Sequence, residues 1–143
     1  MPTIEFKLGV PSSTEHQAMI RGFISQVMEK AGMNEDEIAM LALAVDEAVS
    51  NVIEHAYGSD SSKEVRVRAI VDDDQVAIEI VDTGKGFEPA KVTQKDLKQL
   101  VAERRSGGLG MRLIQKIMDD VQYQIVPGEK NELRMVKRLK KSV

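Results

Sequence analysis

Over residues 3–9 apolar and polar positions alternate, with Ile4, Phe6 and Leu8 on one side and Glu5 and Lys7 on the other. That period predicts a strand, which Pro11 ends. Ser12, Ser13, Thr14 and Glu15 then form a capping-box start, in which a Ser hydroxyl and the Glu carboxylate satisfy free backbone N–H groups. The helix they open is expected to run to about Ala31, with Met19, Phe23, Val27 and Met28 facing inward and Gly32 stopping it. Asn34, Glu35, Asp36 and Glu37 repeat the capping pattern and open a longer helix through the stretch 41–58. Leu41, Val45, Ala48, Val49, Val52 and Ala56 recur there at three- and four-residue steps, which buries one face. Glu47, Asn51 and Glu54 fall together on the other side, with His55 near their edge. His16, in the first turn of the earlier helix, is expected to be exposed.

Residues 58–62 are polar and read as a loop. Residues 64–71 and 75–81 are rich in Val and Ile and alternate, and Asp72, Asp73 and Asp74 join them tightly, so an antiparallel hairpin is expected. The three acids read as a solvated turn, because a calcium loop needs more ligands at set spacing. From 87 to 106 charge dominates, Pro89 breaks the chain, and only a short helix over 96–105 is expected. Long connections of this kind are often lids or binding loops. Residues 111–120 read as a helix with Leu113, Ile114, Ile117 and Met118 apolar, and 121–126 and 132–139 as closing strands around Pro127 and Gly128. Strands joined by short turns, with helices between, predict an α+β two-layer sandwich: a mainly antiparallel sheet with the helices on one face.

At 143 residues the chain is expected to be a single domain, able to bury about two-thirds of its unfolded surface. With 42% hydrophobic and 30% charged residues it has an ordinary globular composition, and its net charge of −3 offers no basic excess for nucleic acid. The absence of cysteine excludes disulfides and thiolate metal sites. The first residues carry no basic-then-apolar signal and no apolar run approaches a membrane span, so a cytoplasmic location is expected. The basic end, 137–141, reads as a soluble terminus.

Three stretches carry candidate chemistry. Glu47 stands one helical turn before Asn51, a pattern found equally on plain solvated helix surface. Asp82 is followed by Gly84 and Gly86, directly after a strand; glycines there allow positive φ and close approach to a ligand, although a simple turn has the same signature. Gly107, Gly108, Leu109 and Gly110 open a helix, and a helix start with free N–H groups is a natural phosphate site. Arg104 and Arg105 lie just upstream, either adding charge for a polyphosphate or simply exposed. Together they compose a nucleotide site: an acid for a purine amine, a helix start for phosphates and a carboxamide oxygen for Mg2+, which commonly takes one or two protein oxygens. Glu47 would then serve as general base. No P-loop and no protein-kinase signature is present.

The segments 47–51, 82–86 and 108–110 resemble the asparagine box and the two glycine boxes of the ATPase superfamily that includes gyrase, MutL, Hsp90-type chaperones and histidine kinases. Within it, the short chain, the run Asn-Val-Ile-Glu-His-Ala-Tyr over 51–57 and the ending Leu-Arg-Met-Val-Lys-Arg-Leu over 133–139 resemble the bacterial anti-sigma factor serine kinases. The resemblance covers almost the whole chain in order. It implies ATP with Mg2+ and phosphorylation of a serine or threonine on a small anti-sigma-factor antagonist protein. By the same analogy Glu47 is the general base and Asn51 the magnesium ligand. Asp82 binds the adenine amine, Gly84 and Gly86 shape the adenine pocket, and Gly108, Leu109 and Gly110 meet the phosphates with Arg105 nearby. Residues 87–106 would be the ATP lid. A homodimer is implied that binds a sigma factor when the antagonist is absent or phosphorylated, with no direct nucleic-acid or membrane contact.

One departure stands out. Near Lys130 and Asn131, members of that family usually carry a Gly-Thr pair whose hydroxyl joins the network behind the adenine-binding acid. An Asn side chain there can still hydrogen-bond, and its effect on adenine binding is left open. The competing reading is a binding module that holds ATP and switches partners without transferring phosphate; the intact Glu47 favours the enzyme. A histidine kinase catalytic domain is not expected, because no dimerisation helix bearing a phosphoacceptor histidine precedes the ATP-binding part.

Overall fold

A computed structural model of the chain describes residues 2–53, 63–82, 108–126 and 130–139. In order these form β1 (Ile4–Pro11), α1 (Gln17–Lys30), α2 (Glu35–Asn51), β2 (Glu64–Val71), β3 (Gln75–Asp82), α3 (Gly108–Ile117), β4 (Asp120–Val126) and β5 (Lys130–Arg138). The strands make one sheet in the order β1-β2-β3-β5-β4, and every neighbouring pair is antiparallel. The expected α+β two-layer sandwich is the observed fold.

Alternation in the strands decides which face is covered. Val65, Val67, Ala69 and Val71 of β2, Val76, Ile78 and Ile80 of β3, and Leu133 and Met135 of β5 join Ile24, Met28, Leu41, Val45, Val49 and Ile114 from the helices in one buried cluster. Each Val, Ile, Leu or Met side chain among them contributes about 1.5–3 kcal/mol when fully buried. In the helical layer α2 packs against both α1 and α3.

Local chemistry sets the boundaries. At the start of α2 the Asn34 side chain accepts from the Glu37 backbone N–H at 2.9 Å and Glu37 Oε1 reaches back to the Asn34 N–H at 3.4 Å, the reciprocal capping box that was expected. Gly32 takes φ +85°, a left-handed conformation that ends the first helix without a Cβ clash. In the hairpin turn Asp72 Oδ1 accepts from the backbone N–H of Asp74 (2.7 Å) and Gln75 (2.9 Å), so the acid run makes a turn, as expected.

Four expectations need correction. The capping box at Ser12 is not formed. Pairing of β1 continues to Pro11 opposite Glu64, and Ser12 N–H donates to Lys63 O at 2.8 Å, which keeps this backbone extended. A short 3-10 turn, Thr14–His16, follows, and α1 starts only at Gln17. Met19 is not inward but 56% exposed, because the buried stripe of α1 is Gln17, Ile20, Ile24, Val27 and Met28. His16 is half-buried rather than exposed: Ser13 Oγ lies 3.0 Å from its Nδ1 and Glu15 Oε1 lies 3.5 Å from its Nε2. The third helix also begins earlier than its apolar pattern, at Gly108, and ends at Ile117.

Candidate active site

Asp82 closes β3, opposite Val65 on β2 and Asn131 on β5. It shares the parity of Val76, Ile78 and Ile80, so the alternation turns it towards the helical layer. It is 1% exposed and Asn131 is 5% exposed. The Asn131 carboxamide donates from Nδ2 to Asp82 Oδ1 at 2.8 Å, a buried bond between residues that the strand register places directly opposite. A buried carboxylate is stabilised only when donors meet it, so this bond both permits and orients Asp82. At the position of the departure noted above, a carboxamide N–H thus reaches the candidate adenine-binding acid.

Glu47 and Asn51 lie in the last turns of α2 and are both partly buried. Their helix is fixed to α1 by a polar cluster that sequence reasoning missed. Gln17 Nε2 donates to Ser50 Oγ at 2.9 Å and to Asp46 Oδ1 and O at 3.3 and 3.4 Å, while Arg21 Nη1 pairs with Asp46 Oδ1 at 3.1 Å. Asp46 and Ser50 immediately precede Glu47 and Asn51, so these bonds hold the backbone that carries both candidate residues. After Asn51 the backbone takes the wider π form at Val52 and Ile53, the last residues described before 63. The signal in the sequence was a polar Gln at an inward position of the first helix, where its neighbours are apolar.

Gly108, Leu109 and Gly110 form the first turn of α3, as expected of a helix start. Because α3 packs on α2, that start and the turn bearing Glu47 and Asn51 belong to adjacent helices on the sheet face towards which Asp82 turns. Gly84, Gly86, Arg105 and the lid segment 87–106 lie outside the described residues.

A second buried carboxylate occupies β3 on the other face. Glu79 is 3% exposed and receives Arg68 Nε at 2.6 Å, Arg68 Nη2, and Arg134 Nη1 at 3.1 Å. Arg68 Nη1 also reaches Glu5 Oε1 at 3.3 Å. Burial pushes the Glu79 carboxyl up, but the hydrogen bonds led by Arg68 outweigh it and hold the pKa below the usual carboxylate range; Glu79 raises that of Arg68 in turn. This row spans β1, β2, β3 and β5 on the face opposite the helices and is separate from the candidate site.

Comparison with known proteins gives the family of the chain. The model of the Histidine kinase-like ATPase domain matches residues 10–137. The chain is 36% identical over 123 residues to the serine-protein kinase RsbW of Bacillus licheniformis, covering 82% of this chain and 76% of that one. It is 29% identical over 126 residues to the anti-sigma F factor of Caldanaerobacter subterraneus, covering 88% and 87%. Among solved structures it superposes on the crystal structure of the RsbU and RsbW domains of Rv1364c from Mycobacterium tuberculosis with a TM-score of 0.69 at 18% identity, covering 99% of this chain and 34% of that one, a likeness of fold. The chain belongs to the histidine kinase-like ATPase family, in the branch of ATP-using serine-protein kinases and anti-sigma factors.

Proposed function

We infer that the chain transfers the γ-phosphoryl group of ATP to a serine or threonine of a small anti-sigma-factor antagonist protein. In this reading it holds a sigma factor while the antagonist is absent or phosphorylated, and it works as a single ATP-binding domain, homodimeric, in the cytoplasm. The observation that carries the nucleotide reading is the buried Asp82 carboxylate oriented by Asn131 on the helix side of the sheet. A carboxylate held there presents an acceptor to an exocyclic amine, which adenine supplies. Among the described residues no helix is long and apolar enough to cross a membrane.

The residues divide the work. Asp82 accepts from the adenine amine, and Gly84 and Gly86 leave room for the base. The N–H groups of Gly108, Leu109 and Gly110 meet phosphate oxygens at the positive end of α3, with Arg105 adding charge. Asn51 fits a magnesium ion through its carboxamide oxygen, an oxygen donor on an anchored helix turn; bound Mg2+ neutralises phosphate charge. Glu47 accepts the proton of the acceptor hydroxyl as that oxygen bonds to the γ-phosphorus and the bond to the ADP oxygen breaks. The cluster of Gln17, Arg21, Asp46 and Ser50 keeps the Glu47 turn in place.

The deciding experiment mixes the purified chain, ATP labelled at the γ-phosphate and magnesium with the antagonist protein encoded nearest to it. Label should move to a serine or threonine of that protein. Glu47→Ala should abolish transfer and spare ATP binding, whereas Asn51→Ala should weaken magnesium-dependent binding and transfer together. Tight ATP binding with no transfer to any antagonist would replace the kinase by a nucleotide-gated partner switch.

A further inference from the structure

The outward ridge of α2 carries an apolar step that leads to Glu47. Among the described residues four large apolar side chains are exposed: Ile4, Met19, Met40 and Leu43. Scattered singly, such residues need no explanation. Met40 and Leu43, 47% and 42% exposed, are instead neighbours at i and i+3 on one helix. At about 100° per residue, Asp36, Met40, Leu43 and Glu47 fall within an arc of about 60°, while Leu41, Val45 and Val49 point into the core from the opposite side. Along the axis Leu43 stands about 6 Å and Met40 about 10 Å from Glu47.

That placement limits what can cover them. From Glu47 this ridge is the exposed surface that continues along α2 towards its start. α1 and α3 flank α2 on either side, and Arg21 bridges to Asp46 at 3.1 Å on the α1 side. The part of the partner that extends towards the start of α2 then rests on Leu43 and Met40 and ends over the exposed Asp36. Nothing in helix formation requires apolar residues at these two positions, where Gln or Lys has similar propensity. The apolar contact is therefore continuous with the candidate chemistry and bounded at its far end by an acid.

We propose that Met40 and Leu43 form the docking contact for the protein substrate of the Glu47 site, a partner that surrounds its acceptor hydroxyl with an apolar surface and sets a basic side chain against Asp36. The proposal rests on the reading of Glu47 as the base of a protein kinase. Docking through this step adds affinity for the antagonist without touching the nucleotide.

The test is steady-state transfer from Mg·ATP to the unphosphorylated antagonist protein encoded nearest to the chain, comparing wild type with Met40→Gln, Leu43→Gln and the double variant. Glutamine keeps length and helix propensity. The double variant should raise the KM for the antagonist about tenfold, with kcat and the Kd for Mg·ATP within about twofold of wild type. An unchanged KM overturns the proposal. So does a fall in ATP affinity alongside, which would assign the pair a structural role. Weakened sigma-factor binding with an unaltered antagonist KM overturns it too, in favour of the other partner. Glu47→Gln run in parallel separates the two readings: if it retains transfer the base is misassigned whatever the docking variants do, and if wild type phosphorylates no antagonist both readings fall together.

Discussion

Glu79 and Asp82 are carboxylates on the same strand, both almost fully buried, and their surroundings differ in kind. Glu79 faces away from the helices and is met by two guanidiniums, Arg68 and Arg134. Its charge is offset inside the fold. Asp82 shares the face of the core residues Ile78 and Ile80, and Asn131 gives it a neutral N–H at 2.8 Å. A carboxamide orients a carboxylate without cancelling its charge. The first arrangement suits a fastening between strands, and the second is compatible with the ligand role proposed for Asp82. Burial alone does not distinguish them; the partner chemistry does.

The comparison breaks most sharply at Asp82. Asp82→Asn keeps the shape and removes the charge, and a hydrogen bond to a charged group is worth about 1.5–3 kcal/mol. The Kd for ATP should rise about 10- to 100-fold by titration calorimetry. Thermal stability should change little. Equal ATP affinity in the variant would remove Asp82 from the adenine site.

Glu79→Gln should show the opposite pattern. It places an amide against guanidiniums that are themselves part-exposed, so the loss should fall between that of a surface pair and a buried one, about 2 kcal/mol of unfolding free energy in a denaturant titration. ATP affinity should stay within about twofold, since this row lies on the face away from the helices. A variant as stable as wild type but weak for ATP would invert the assignment of the two acids.

Most of the architecture was readable because each element bears its own period. The strands alternate, α2 repeats at three and four residues, and Asn34 with Glu37 announces its start through a bond three residues long. Local signals of that kind need no knowledge of the rest of the chain. The failures were non-local. Met19, Phe23 and Val27 offer an apolar stripe on α1, but so do Ile20, Ile24 and Val27, and contact with the sheet and α2 chose the second. The helix start at Ser12 was displaced because β2 captured Pro11 and Lys63 captured Ser12, partners about 50 residues away in the chain. Of the candidate site, Glu47, Asn51 and Asp82 stand out in the sequence by type and spacing. What holds the helix turn of the first two does not: Gln17 reaches Asp46 and Ser50 from another helix. Asn131 was visible as a departure, and only the register of β3 with β5 showed that it lands on Asp82.

Asn131 sharpens the comparison from the other side of the bond. Asn131→Ala removes a neutral hydrogen bond from a buried acceptor, which costs about 1 kcal/mol, or about fivefold in ATP affinity. Asn131→Thr should recover part of it, because a hydroxyl also donates to Asp82. If alanine and threonine behave alike, the Asn131 bond serves only the strand pairing and the contrast with Glu79 weakens.

The smallest effect is the dependence of stability on pH, and it tests Glu79 alone. Its folded pKa lies below the ordinary value because burial, which raises it, is outweighed by hydrogen bonds led by Arg68 and by the charge of Arg68. The unfolded chain therefore binds the proton more readily than the folded one in acid. The contribution of Glu79 is complete above the unfolded glutamate value of about 4.3 and is lost as pH falls through the lower folded value. Other carboxylates titrate in the same range, so the useful quantity is the difference in unfolding free energy between wild type and Glu79→Gln. That difference should be constant from neutral pH down to about pH 5 and then shrink towards about pH 3, because only the wild type carries the group that titrates. A difference that stays the same across this range would mean that the stabilisation by Glu79 comes from packing against the arginine side chains and owes nothing to its charge.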